Sequence, residues 1–192
     1  MTSGVWFIKV GGSLLTLSNL GPRLRRWLDR AAPPRAVLLM GGGPTADVIR
    51  SLDAQHGLGE ERSHWLALRA LALNAHALAE LLPGGVQAQD APSCAAAWAR
   101  GQTPILDPMP LLLADEGKAL ALPHRWDVTS DSVAARLAEL LEAETLVLLK
   151  SCDAPPFSSA GEWARLGIVD RYFPQAAERL REVRLVNLRA EP

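Results

Sequence analysis

The run Val5-Trp6-Phe7-Ile8-Lys9-Val10 breaks directly into Gly11-Gly12-Ser13 and then into a stretch with helical apolar spacing. A second run, Ala36-Val37-Leu38-Leu39-Met40, breaks the same way into Gly41-Gly42-Gly43, and Pro44 opens another helical pattern. Strand-like runs without polar alternation are buried on both faces, and their alternation with helical patterns along the whole chain predicts an α/β fold with a mainly parallel sheet between helices. In such sheets ligands bind at the carboxyl ends of the strands. Lys9, Gly41 and Lys150 all fall at those ends. Glycine turns that bare backbone N–H groups, each followed by a helix N-terminus, can face an anion. Two of them on neighbouring strands suggest one phosphate cradle.

The remaining elements follow the same alternation. The apolar spacing predicts a helix over 14–30, loosened around Gly21-Pro22, and further helices over 44–57, 63–82 and 93–100. Short strands are expected over 86–89 and 103–106. The spacing over 129–143 is the cleanest helical pattern, and 145–150 is a continuous apolar run closed by Lys150. A last helix is expected over 170–181 and a last strand over 183–188.

At 192 residues the chain is expected to form a single domain. Its net charge of −1 gives no general attraction to nucleic acid or an anionic membrane. No apolar run approaches the ~20 residues of a membrane helix. The amino end lacks the pattern of a signal peptide, and Cys94 and Cys152 lack metal-ligand spacing. A cytoplasmic protein with reduced thiols is expected. Only three of the 20 basic residues are lysines, Lys9, Lys118 and Lys150. A compact ammonium suits phosphate oxygens where a guanidinium fork does not fit.

Each motif has a structural alternative. Lys9-Val10-Gly11-Gly12-Ser13 is neither a Walker A loop nor a dinucleotide fingerprint, and alone it reads as a strand-to-helix turn. In Thr129-Ser130-Asp131-Ser132, Thr129 or Ser130 suits an N-cap and Asp131 favours the positive end of the helix. Asp131 is equally an acceptor able to orient a lysine. Lys150, followed by Ser151-Cys152-Asp153, either snorkels from the sheet edge or faces a ligand. His124 suits a cap and Trp126 a packed indole, while His64 and His76 belong to no cluster with metal-ligand spacing.

Lys9-Val10-Gly11-Gly12-Ser13, Gly41-Gly42-Gly43-Pro44, Thr129-Ser130-Asp131-Ser132-Val133-Ala134-Ala135 and the strand ending in Lys150-Ser151-Cys152-Asp153 together resemble the amino acid kinase family, which includes acetylglutamate, aspartate, carbamate and uridylate kinases. The resemblance covers nearly the whole chain. It implies a three-layer α/β/α sandwich that transfers the γ-phosphoryl of ATP. Segments 63–68, 122–132 and 167–173 are similar to the branch that phosphorylates an aminomethylfuran-methyl phosphate in methanofuran biosynthesis. By this resemblance Lys9, Asp131 and Lys150 are catalytic, with Asp131 positioning Lys9. Gly11, Gly12, Ser13, Thr129, Ser130, Ser151 and Asp153 would hold ATP and its phosphates, and Gly41, Gly42 and Gly43 would approach the acceptor. Residues 1–105 would form the acceptor half and 106–192 the nucleotide half. Mg²⁺ is expected on the ATP phosphates with no protein metal site, and the partners expected are a small-molecule substrate and further copies of the chain.

The chain departs from larger relatives, which carry a second catalytic lysine after the nucleotide strand. No lysine follows Lys150, so Lys150 or Arg171 is expected to supply that charge. Two alternatives remain open at this stage: a uridylate-, carbamate- or acylamino-acid-type kinase, and a catalytically impaired nucleotide-binding sensor.

Overall fold

The computed structural model describes residues 4–191. Six strands, β1 (Val5–Val10), β2 (Arg35–Met40), β3 (Gly85–Ala88), β4 (Thr103–Leu106), β5 (Thr145–Lys150) and β6 (Glu182–Asn187), form one sheet. Their order is β3-β4-β2-β1-β5-β6. Every neighbouring pair is parallel. The eight helices among the described residues are α1 (Leu20–Ala31), α2 (Gly43–His56), α3 (Glu60–Leu81), α4 (Ala91–Ala99), α5 (Met109–Asp115), α6 (Ser130–Leu140), α7 (Ala160–Arg165) and α8 (Phe173–Ala176). A 3-10 turn, Gly12–Thr16, follows β1 directly.

Strand side chains alternate between two cores, because successive residues of a strand point to opposite faces. Phe7, Val37, Leu39, Leu146 and Leu148 meet Leu68 and Leu71 of α3, Leu112 of α5, and Val133 and Leu137 of α6. Ile8, Val10, Leu38, Met40, Val147 and Leu149 meet α1 through Leu24, Trp27 and Leu28, and α3 through Ala75 and Leu78. The molecule is therefore the three-layer α/β/α sandwich. Fully burying each such leucine contributes roughly 1.5–3 kcal/mol.

After β1 the chain builds outward through β2 on one side, and returns to place β5 on the other. The strand order thus reverses beside β1, and the crevice at such a point lies at the carboxyl ends of β1 and β5.

Two expected elements are altered, and two helices, α5 and α7, were not expected. The 14–30 pattern is interrupted at 17–19, before Gly21-Pro22, which lies in the first turn of α1. Proline is tolerated there because first-turn amides have no intrahelical acceptor. Gly21 is needed for packing, since a Cβ on it would stand 1.8 Å from the Leu81 carbonyl oxygen. The apolar triplet Leu111-Leu112-Leu113 lies in α5. Helix α7 was not anticipated, although Ser159 and Glu162 form a reciprocal capping box that is visible in sequence. The helix expected over 170–181 contracts to the four residues of α8; Asp170 lies ahead of it and is drawn into the site described next.

Candidate active site

The sheet register brings three charged side chains together. Lys9 pairs with Leu148, and Lys150 lies two residues beyond Leu148, so Lys9 and Lys150 point to the same face. That face is covered by α6, whose first turn carries Asp131. Lys9 Nζ donates to Asp131 Oδ1 at 2.8 Å. Lys150 Nζ donates to both carboxylate oxygens at 2.7 Å. Lys9 is 3% exposed and Asp131 4%. One carboxylate thus serves two ammonium groups, that of Lys9 buried and that of Lys150 part-buried, and the trio carries a net charge of +1 that an anion can complete. Arg171, the other candidate for the second cation, is exposed and makes no ion pair among the described residues.

Electrostatics within the trio are strongly coupled. Burial pushes the Asp131 carboxyl upward, and the charges of Lys9 and Lys150 outweigh it, so the group lies below its ordinary value. Burial, followed by repulsion from Lys9, draws the Lys150 ammonium down to about 8 against the attraction of Asp131. The folded chain therefore releases this proton before the unfolded chain does. Between pH about 8 and about 10.4 the unfolded state binds more protons, so this group adds stability as pH rises through that window. If its charge is needed for turnover, kcat/KM is expected to fall above pH about 8, and the limb is expected to move to higher pH in Lys150→Arg. A pH profile in which both proteins share one alkaline limb would refute that assignment.

The two glycine turns touch. A Cβ on Gly12 would stand 2.1 Å from Gly43 N and 2.6 Å from Gly43 Cα, so only glycine allows these backbones to meet. Gly43 also takes a left-handed conformation, with φ +49°. A Cβ on Gly41 would stand 2.8 Å from Gly12 N, 3.1 Å from Ser130 Oγ and 3.2 Å from Lys9 Cε. The space that such an atom would fill is the centre of the cradle. The Gly11 amide, expected to hold a phosphate, instead donates to the Leu149 carbonyl at 2.8 Å; it continues the sheet and cannot also face an anion. The Gly41 amide likewise donates to Val10. Gly12, Gly42 and Gly43 amides have no hydrogen-bond acceptor among the described residues.

Asp170 was missed in the sequence, and it organises the N-terminus of α6. Its carboxylate accepts from Thr129 N at 3.1 Å, Thr129 Oγ1 at 2.9 Å and Ser132 N at 3.0 Å, and also from the Ser132 hydroxyl. Burial raises its pKa against these hydrogen bonds. Thr129 is the N-cap residue, yet its side chain makes no cap within its own helix. Its hydroxyl proton is directed to Asp170, away from the nucleotide role expected for it. Ser13 Oγ lies 3.0 Å from Ser151 Oγ, linking the ends of β1 and β5. Asp153 accepts from Asn187 Nδ2 at 3.0 Å and so sits at the β5–β6 edge, apart from the lysine pair.

Beside the Gly42-Gly43 turn is a cavity of about 160 Å³, walled by Leu68, Leu71 and Val133 and edged by Arg50, Arg125 and Trp126. Trp126 is more than a packed indole: Nε1 donates to Asp53 Oδ2 at 2.8 Å, and the Arg50 guanidinium lies 5.4 Å from its ring. Arg125 lies 5.9 Å from the Tyr172 ring. His64 also lines this cavity; burial, then His124, draws it down to about 4, and it stacks on His124 at 4.9 Å. His64 is thus neutral and packed. A larger groove of about 640 Å³, between α1 and α4, lies by Arg35 and Thr103 at the amino ends of β2 and β4, away from this site.

The profile of the amino acid kinase family matches residues 4–154. The chain belongs to this family. Among curated proteins, this family member is 27% identical over 149 residues to the [5-(aminomethyl)furan-3-yl]methyl phosphate kinase of Methanocaldococcus jannaschii. The match covers 76% of the chain and spans 65% of that relative's length. Among solved structures it is similar to the uridylate kinase of Archaeoglobus fulgidus, with a TM-score of 0.62 and 18% identity over 97% of this chain and 92% of the other. The UMP kinase of Ureaplasma parvum superposes with a TM-score of 0.65 at 13% identity, over 98% and 92% of the two chains. These structural likenesses establish the amino acid kinase fold.

Proposed function

We propose that this protein is an ATP-dependent phosphotransferase that phosphorylates a small phosphomonoester, giving a diphosphate and ADP. The observation that carries this reading is the lysine pair on Asp131 beside two touching glycine turns. An acceptor phosphate arrives already ionised, so its oxygen attacks the γ-phosphorus without a general base. Asp131 suits that chemistry: bound by two ammonium groups and below its ordinary pKa, it is a poor base and a good anchor. Lys9 and Lys150 would neutralise the transferring phosphoryl, and the Gly12, Gly42 and Gly43 amides would hold its oxygens; positioning and charge neutralisation are the main demands of phosphoryl transfer. Lys150 takes the role that larger relatives give to a later lysine, which favours catalysis over a binding-only role.

The cavity by α2 and α3 would receive the acceptor. Arg50 and Arg125 pair at its edge with the exposed Asp47 and the partly exposed Asp127. Such exposed pairs are weak, so a phosphate dianion can displace them. The apolar walls fit a flat ring, and the relative's name supplies the first candidate, an aminomethylfuran-methyl phosphate. The nucleotide would lie toward β5 and Ser151. Arg125 and Trp126, from beyond residue 106, would belong to the acceptor side, which blurs the expected division into halves. Magnesium would ride on the nucleotide phosphates, because both lysines already occupy the nearby Asp131 carboxylate; no step here depends on a protein-held metal. A cytoplasmic homo-oligomer is part of the same proposal, and sedimentation tests its assembly.

The test is ADP release with Mg-ATP and this furan phosphate, with phosphorus NMR of the product and UMP as competitor. A diphosphate product is expected, and Arg50→Met with Arg125→Met is expected to raise the acceptor KM at least about tenfold, the loss of one charge-assisted contact each. Equal turnover of the dephosphorylated alcohol would refute the phosphomonoester assignment.

A further inference from the structure

We propose that Asn74, in the middle of α3, is the positioning residue that turns the Gly42 and Gly43 amides toward the transferring phosphoryl. This rests on the phosphotransferase reading above. Asn74 is 4% exposed and sits among Leu71, Ala75 and Leu78 of an apolar helix face. Its Nδ2 donates to the Gly41 carbonyl at 2.8 Å and to the Gly42 carbonyl at 2.7 Å. Its Oδ1 accepts from Thr45 Oγ1 at 2.8 Å, which fixes the amide with its donor end toward the turn.

A peptide group is planar and trans, so its N–H points opposite to its carbonyl. Drawing the Gly41 and Gly42 carbonyls toward α3 therefore sends the Gly42 and Gly43 amides away from α3. The Gly43 nitrogen faces the β1 turn, lying 2.1 Å from where a Gly12 Cβ would stand. Three successive glycines have no side chain to hold their own peptide planes. A flipped peptide would present a carbonyl oxygen to the phosphoryl and replace attraction with repulsion. The glycines permit the close approach. The Gly42 carbonyl also accepts from Ala46 N at 3.2 Å in α2, whereas the Gly41 carbonyl has Asn74 as its donor among the described residues, so Asn74 reinforces one peptide plane and supplies the hold on the other.

The experiment combines kinetics with proton–nitrogen NMR of the Gly42 and Gly43 amides in the intact protein. The probe is Mg-ADP with aluminium fluoride, a planar phosphoryl mimic. In the wild type both amide protons are expected to move downfield on adding the mimic. In Asn74→Asp, whose carboxylate cannot donate to the two carbonyls, kcat is expected to fall about 100-fold or more, the loss of a preorganised donor, with KM for ATP unchanged and neither amide moving. Thr45→Val, which releases the far end of Asn74 without touching the turn, is expected to shift both readouts part-way, and decides the matter if Asn74→Asp does not fold. A folded Asn74→Asp with wild-type kcat, or amides that still respond to the mimic in either variant as in wild type, overturns the proposal. If the wild-type amides respond and those of Asn74→Asp do not, yet no phosphomonoester is turned over, the phosphomonoester acceptor fails while the role of Asn74 toward the phosphoryl stands.

Discussion

Asp131→Asn is expected to lower kcat by about a thousandfold or more and to destabilise the fold at the same time. The substitution keeps the shape and removes the single negative charge between Lys9 and Lys150. A buried and a part-buried ammonium group are then left facing each other. Breaking a buried ion pair by removing one partner costs roughly 3–5 kcal/mol, and at this chain length that lowers Tm by about 6–20 °C. The lysines can escape only by losing a proton or swinging out, and both routes remove charge from where the phosphoryl would sit. Preorganised charge of this kind contributes about two to three orders of magnitude per group to kcat, and this variant disturbs two groups.

The acid side carries a second readout. The stability that Asp131 contributes is fully present above its ordinary carboxylate pKa and is lost as pH falls through its lower folded value. Thermal melts from pH 7 downward are therefore expected to show a stability loss in the wild type that is smaller in Asp131→Asn. Retention of more than a tenth of wild-type kcat by a folded Asp131→Asn would remove the trio from the reaction.

Gly12→Ala is expected to separate the two glycine turns and to abolish most activity. The added methyl would stand 2.1 Å from Gly43 N and 2.6 Å from Gly43 Cα. Both are backbone atoms at the start of α2, so no side-chain rotation relieves the overlap. Overpacking of this kind costs roughly 1–3 kcal/mol, about 2–12 °C in Tm. The larger effect is geometric. Moving the Gly12 and Gly43 amides apart by about 1 Å costs on the order of 100-fold in kcat. Gly161→Ala is the control: its nearest atom is Ser159 Oγ at 3.8 Å in α7, and unchanged activity is expected. Were Gly12→Ala and Gly161→Ala equally active, the touching turns would have no part in catalysis.

Some of this was written plainly in the chain. The runs through Phe7, Leu39 and Leu148 are apolar on both alternations because both faces of the sheet are covered, which dictates the layers. The glycines after Val10 and Met40 mark the strand ends that meet. The capping box of Ser159 and Glu162 was equally legible, and it marks α7.

Other features were legible only as residues without partners. Asp170 looked like the start of a helix over 170–181, yet its carboxylate crosses to Thr129 and Ser132, and the helix that follows is the four-residue α8. Asn74 drew no reading from the sequence. Its partners, Gly41 and Gly42, lie more than 30 residues away in sequence, and local periodicity contains no trace of them.

By itself the sequence determined the layered parallel sheet and the position of Lys9 and both glycine turns at one edge, because periodicity and backbone freedom are local properties. Which cation joins Lys9 on Asp131 was decided only in three dimensions. Lys150 shares a face with Lys9 because Lys9 pairs with Leu148, and a slip of one residue would have sent Lys150 to the opposite side of the sheet. Strand register is a relation between segments more than a hundred residues apart, set by the packing of both cores at once, and no single stretch of the chain encodes it.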